Sequence, residues 1–514
     1  MQPSMPLLSK KTLKIHLVFG TITAVLLFIL STQPPRRPAF SFQDVVEMAR
    51  KKIREPRVLL TVPSFLSNLS YDQYRQIRWR EEHTLWRAEG LPFQITFFHL
   101  GYLFTQPVLF NQVDDEGVKP IPYLPRFFDF GSLRFPGPLP TRYGYAGFRI
   151  FFPLDRRDSL NEVASFLGAS YFRMVGKNQV FGLSARGIAV NTVAQKKEEF
   201  PAFTEFWLRK PSPNARELEF YGLLEGESVT GAYRFRLTPG EETRLTVRAV
   251  LFLRREVEEM GIAPLTSMFW YGENTGTTFG NPHPEVHDSD GLLVESSSGE
   301  WVWRPLDYGK TRRVEDFILM DPKGFGLLQR DREFSHYDDL AMLYNKRPSA
   351  WVEPSTRWGR GRVRLVQLPT TDANVDNVVA YWIPESFPQP GGRPLEVEYT
   401  IDWFSDHPQR PPLGRCILMR VDHQDAPNLR TYILDFAGDR LKNLPPDTPL
   451  EVKVTASEGG SVSDVRAVKN PFDQSWRVTF TVWSQPKGPP VHLRCWLVLK
   501  GEPLSETWDY IWTP

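Results

Sequence analysis

Cysteine is almost absent from this 514-residue chain: only Cys416 and Cys495 occur, with no CxxC pair. That removes a cysteine zinc site, a thioredoxin-type redox pair and a disulfide scaffold from consideration. Histidine is scarce too. Its one HxxxH spacing, His283 and His287, is interrupted by Pro282 and Pro284 and is not HExxH, so it does not set two imidazoles on one helix face for a metal. The glycine pair in GFG at 324–326 is no GxGxxG, and Ser184, in FGLSARG, lacks the GxSxG frame of a nucleophile elbow. Dinucleotide binding and serine hydrolysis therefore lack their local chemistry. No long repeat is visible, which argues against a propeller or solenoid. Net charge is only +2, and Lys10, Lys11 and Lys14 sit in the first 35 residues, so the body is near neutral and has no electrostatic footprint for nucleic acid.

Aromatics and proline are abundant. The 36 Phe and 45 Pro point to many short strands joined by rigid turns, the all-β pattern. Strand-like runs include QITFFHL, GFRIFFPL, TGAYRFRL, RLTVRAVLFL, RVRLVQL and NVVAYWI. Two helices are expected. SFQDVVEMARKKI has Ser41 and Asp44 to cap it, an apolar face of Phe42, Val45, Val46, Ala49 and Ile53, and Pro56 to end it. A shorter one is expected at 159–162, closed by Gly168.

The length suggests more than one domain. Residues 1–35 read as a signal peptide or a retained membrane anchor: three lysines precede LVFGTITAVLLFILS, and the uncharged run would span roughly 30 Å as a helix. No arginine pair precedes it, which favours ordinary secretion over the twin-arginine route. An exported body, in a bacterial periplasm, is the expectation. Residues 38–404 read as a large β-sandwich and the polar, proline-rich 405–411 as a linker. Residues 412–514 read as a compact sandwich of immunoglobulin-like size. Cys416 and Cys495 lie in strands of this last part, as either one disulfide or two buried thiols.

Chemistry concentrates in residues 283–351, where HPEVHDSDGLL, WVWRPLDYGK and GFGLLQRDREFSHYDDLAMLYNKRPSAWVEP mix acids, arginines and large aromatics. Asp288, Asp290, Asp331, Glu333, Asp338 and Asp339 lie there; Asp372 and Asp376 follow in TTDANVDNVVAYW. Taken singly, most such aspartates cap turns. A pair facing one cleft can divide acid and base work on a glycosidic bond, provided one is held protonated. Local sequence alone leaves open which two meet.

Longer motifs narrow the choice. EGLPFQITFFHLGYLF, FPAFTEFWLRKPSP, SVTGAYRFRLTPG, GIAPLTSMFWYGEN, PEVHDSDGLL, GEWVWRPL, GFGLLQRDREFSHYDD and KRPSAWVEP together resemble the periplasmic osmoregulated glucan biosynthesis proteins G and D. The absent twin-arginine signal leans toward G. The resemblance implies a galactose-mutarotase-like sandwich carrying a cleft, followed by an immunoglobulin-like domain. It implies action on β-1,2-glucan, as an inverting glycoside hydrolase, beside a membrane glucosyltransferase. It makes Asp376, in the DN step before a strand, the general acid, and Asp288, in HDS, the carboxylate on the water side. Tyr344, Arg347 and Trp351 become sugar contacts, with core packing or a surface ion pair as the alternative for each. Neither a metal nor another cofactor is implied. Two further readings stay open: a glucan-binding protein without catalysis, and a scaffold for the membrane synthase.

Overall fold

The computed structural model describes residues 40–514 apart from 58–61, 138, 140–143, 157, 276–279 and 423–425. The leader expected at 1–35 lies outside the described residues. No helix among them is long and apolar enough to cross a membrane. Strands dominate, as the composition predicts, and gather into a ten-stranded and a fifteen-stranded sheet. The ten-stranded sheet runs from Gln94–Phe98 through Gly147–Arg156, Ser159–Leu167, Tyr171–Met174 and Ser184–Arg186. It continues through Met260–Ser267, Val378–Pro384 and Arg360–Gln367 to Arg313–Met320.

Its inward residues meet those of the larger sheet in one aromatic-rich core. Phe148 lies 4.9 Å from Phe206, while Phe166 lies 5.4 Å from Phe220 and 5.5 Å from Phe235, all edge-on. Edge-to-face packing is the arrangement ring quadrupoles favour, and it accounts for much of the phenylalanine content.

The first expected helix is present as Phe42–Lys52. Ser41 N–H donates to Asp44 Oδ2 at 2.8 Å, and Val45, Val46 and Ala49 are buried against Trp207, Tyr221, Ala232, Val250 and Phe252 on the outer face of the larger sheet. The second expected helix is instead the strand Ser159–Leu167, antiparallel to Gly147–Arg156. Its polar first half suggested a helix start, but Val163, Ala164 and Phe166 alternate into the core environment of a sheet. Asn161 Oδ1 also accepts from Leu154 and Asp155 N–H, fixing the irregular end of the hairpin.

Beyond residue 412, Arg415–Asp422, Leu429–Ala437, Trp476–Ser484 and Gly460–Lys469 form a separate four-stranded sheet. Glu451–Ala456, Val491–Leu499 and Thr507–Trp512 instead extend the fifteen-stranded sheet, through parallel pairing of Val302 with Thr507 and Trp303 with Trp508. A second core therefore mixes Trp303, Trp351 and Phe404 with Tyr432, Phe436, Trp476 and Trp508. Cys416 and Cys495 are free, buried thiols in this core, and burial pushes the pKa of each upward.

Candidate active site

Asp288 sits where two short strands end. Phe269–Tyr271 pairs with Val286–His287, and Asp288 N–H then donates to Met268 O at 2.8 Å. The residue is 5 % exposed. Arg347 Nη1 lies 3.2 Å from each carboxylate oxygen, donating to Oδ2; among the described residues Oδ1 has no hydrogen-bond partner. Burial raises the Asp288 pKa, Arg347 opposes this, and the negative charge of Asp376 adds to the rise.

Asp376 arrives from another chain segment, just ahead of the strand Val378–Pro384. The next residue holds it in place. Asn377 Oδ1 accepts from Phe269 N–H at 2.9 Å, while its Nδ2 donates to Phe269 O and Leu368 O at 2.9 and 2.8 Å. Phe269 is the residue opposite His287, so this amide staples the Asp376 backbone to the hairpin that ends at Asp288. Asp376 keeps its surface open to solvent, but it lies in a recess with protein on most sides. That crowding raises its pKa, against the pull of Arg173, Arg186 and Arg347.

Arg347 and Tyr344 come from one tight turn. The guanidinium lies 5.0 Å over the Tyr344 ring, and its Nε donates to Met342 O at 3.2 Å. The stem packs on Gly182, where a Cβ would come within 2.9 Å of Arg347 Cδ. Tyr344 is buried with Met268, Tyr271, Val286 and Tyr337, and burial pushes its pKa up to about 12.

A cleft of about 780 Å³ is lined among others by Tyr71, Tyr74, Trp79, Tyr171 and Phe181, and Tyr171 feels the charge of Asp376. Arg173 also lines it, and it is among the charges acting on both Asp376 and Asp288. Aromatic faces beside guanidinium and carboxylate groups suit a polar, ring-shaped ligand such as a sugar.

The histidines do not converge. His283 Nδ1 faces the carbonyls of Tyr337 and Asp338. His287 is fully buried between Gln329 Oε1 (3.0 Å from Nδ1) and Glu285 Oε2 (2.9 Å from Nε2). Gln329 Nε2 donates to His287 O and Tyr337 Oη, so its Oε1 must accept, and both ring nitrogens of His287 carry protons. Burial opposes that charge, but Asp290 and Glu285 outweigh it and push the pKa up to about 9. Glu285, Asp331 and His336 bring ligand atoms within 4.8 Å of one another, a spacing that a divalent cation can use.

A family model described as periplasmic glucan biosynthesis protein, MdoG, matches residues 40–512. A glucans biosynthesis protein G of Ralstonia nicotianae is 44% identical over 487 residues, covering 93% of this chain and 96% of the relative. One of Pseudomonas aeruginosa is 42% identical over 486 residues, covering 92% of each chain. The chain belongs to the glucans biosynthesis protein G family.

The expected site residues of this family member are only partly together. Asp288, Asp376, Tyr344 and Arg347 share one region, linked by the charges and contacts described above. Trp351 does not join them. It is 2 % exposed, stacks 5.5 Å from Trp301, and lines a separate pocket of about 570 Å³ on the side of the second core. Alternation along Ser349–Pro354 turns it away, and Gly324 leaves the space its indole fills.

Asp339 and Asp372 cap local turns, whereas Asp290 ties two distant segments together. Asp290 accepts from Arg330 and Asp331 N–H, Asp339 from Ala341 and Met342 N–H, and Asp372 from Asn374 N–H.

Arg173 and Arg186 were not foreseen. Arg186 is buried, donating to Thr266 Oγ1 at 2.9 Å and lying 4.7 Å over Tyr171. The signal was an arginine beside each of two apolar runs, YFRM and FGLSARG, where a core strand has no use for charge.

Proposed function

We propose that the chain is an exported glycoside hydrolase that cleaves β-1,2-glucan in the periplasm with inversion at the anomeric carbon. The family's role in periplasmic glucan biosynthesis supports the substrate class and compartment. The two facing sheets are compatible with a galactose-mutarotase-like sandwich. The observation that carries the chemistry is the pair of carboxylates, Asp288 and Asp376, joined by the Asn377 staple and sharing Arg347 and Arg173.

Burial raises the pKa of both carboxylates, and what sets them apart is hydrogen bonding. Asp288 receives a charge-assisted hydrogen bond from Arg347, which favours its ionised form. Asp376 receives no hydrogen bond among the described residues, and crowding favours its protonated form. Asp376 thus gives its proton to the glycosidic oxygen as the bond from that oxygen to the anomeric carbon breaks. Water attacks the same carbon from the opposite face and loses a proton to Asp288, directly or through hydroxyls. The resulting Asp288 acid and Asp376 carboxylate exchange protons with solvent to restore the starting state. Direct attack needs carboxyl groups about 6.5–9.5 Å apart, and a larger gap needs the hydroxyl relay.

Incubation of the purified protein with linear β-1,2-glucan, followed by chain-length analysis and optical rotation, tests this reading. Asp376→Asn should cut the rate by about 10²–10⁴ while leaving glucan binding intact. Parent-like cleavage by Asp376→Asn would rule the assignment out. The aromatic lining of the cleft also supports a second reading, in which glucan is held without cleavage. That reading gains if glucan raises the melting temperature and no product forms.

A further inference from the structure

The outer face of the fifteen-stranded sheet carries a pocket of about 470 Å³, separate from the cleft. Its floor follows a cross-strand row in which Tyr221 pairs with Arg234, and Arg234 with Arg248. Two guanidinium-bearing residues thus stand directly opposite each other on one face, an arrangement that costs stability when nothing neutralises it. Arg209 and Arg50 add two more cations to the lining.

Neutralisation is incomplete. Arg209 lies 3.1 Å from Glu219 and Arg248 lies 3.3 Å from Glu396, the two carboxylates of the lining. Among the described residues the one carboxylate Arg50 reaches is Glu47, at 3.8 Å. Arg234 is half-buried, and among the described residues it has no carboxylate or hydrogen-bond acceptor in reach. Glu398 stands opposite Arg248 on the neighbouring strand but outside the lining, so within the lining four guanidiniums face two carboxylates, with Arg234 unpaired among the described residues.

We propose that this pocket binds a phosphate group, as a monoester or diester, through Arg234 and Arg248, with Arg209 and Arg50 at its rim. Guanidinium forks match the oxygens of a phosphate two at a time, and several forks converging on one anion suit phosphate better than a single carboxylate. The volume exceeds that of a bare phosphate and leaves room for an esterified group beside Phe42 and Tyr221. Two sources present this chemistry, free phosphate and a phospholipid headgroup. The helix Phe42–Lys52, which forms one wall, has Arg50, Lys51 and Lys52 in its last turn and begins where the chain leaves the basic, apolar leader sequence.

The test uses the full chain at fixed ionic strength. Thermal stability is followed with inorganic phosphate, and co-sedimentation with vesicles of phosphatidylglycerol or of phosphatidylcholine. The parent should gain stability with phosphate, or bind phosphatidylglycerol vesicles in a way that phosphate competes away. The first result identifies free phosphate as the ligand and the second the headgroup. Arg234→Gln should weaken that binding about ten- to a hundredfold, the scale of a lost charged hydrogen-bonding group. Without ligand it should be at least as stable as the parent, because the Arg234–Arg248 repulsion is gone. Arg234→Lys should keep part of the binding, and glucan cleavage should be unchanged in both. The proposal is overturned if the parent binds neither ligand or binds both vesicle types equally. It is equally overturned if Arg234→Gln lowers unliganded stability and leaves the response to ligand unaltered, which is the mark of a structural arginine.

Discussion

Asp288 and Asp376 lean on the same guanidiniums to different degrees, and under the proposed mechanism that difference would set the pH range of cleavage. Arg173 comes first among the charges that lower the Asp376 pKa and last among those acting on Asp288. Replacing Arg173 by Met removes a positive neighbour from both. With less stabilisation of the carboxylate, each pKa rises, and that of Asp376 rises more. In a mechanism that needs protonated Asp376 and ionised Asp288, the alkaline limb of the kcat/KM profile belongs to the acid and the acidic limb to the base. Both limbs should therefore move upward for Arg173→Met, the alkaline limb further. A profile whose alkaline limb stays fixed would show that Asp376 is not the group titrating there. None of this was legible in local sequence. Asp376 looks like one of many loop aspartates, and its partner is brought to it by pairing between distant segments. The resemblance singled it out, whereas spacing could not.

At the scale of elements, alternation was the reliable signal. Gly147–Arg156, Val229–Thr238 and Thr243–Leu253 are strands because their apolar residues recur with a period of two, and the helix Phe42–Lys52 follows its 3.6-residue face. The reading failed at Ser159–Leu167, where polar Asn161 and Glu162 hide a strand whose burial is confined to its second half. At Trp351 the two readings, sugar contact and core packing, look alike until the strand's facing is known. Asn377 shows what a strand junction contributes to the site. Its amide satisfies both backbone groups of Phe269 as well as Leu368 O, so Asn377→Ala orphans buried polar groups at about 1–3 kcal/mol each. The variant should unfold several degrees lower. Its kcat should also fall with little change in KM, since the cleft lining remains while the acid loses its tether. A variant that loses stability yet keeps the parental kcat would separate the staple from the chemistry.

Across the whole molecule, the two parts of the chain share one sheet and one core, which predicts that they unfold together. Arg330, whose N–H is held by Asp290, makes a bidentate pair with Glu506 at 2.6 and 2.8 Å and donates to Cys416 O. Its guanidinium lies 3.5 Å over Trp303. Arg332 reaches Ser405 O at 2.7 Å from the same loop. Glu506 is fully buried, so Glu506→Gln leaves Arg330 with an uncompensated charge in a desolvated setting. Breaking such a pair costs about 3–5 kcal/mol. Removing residues 412–514 would be harsher still, because it uncovers Trp303, Trp351 and Phe404 at once. A scaffold role assigned to the C-terminal part is therefore better tested by surface changes on the four-stranded sheet than by deletion. Calorimetry checks the premise directly: the parent should unfold in one transition, and Glu506→Gln should lower that single transition as a whole. Two resolved transitions in the parent, with Glu506→Gln moving only one of them, would mean that the shared sheet does not make the parts cooperative.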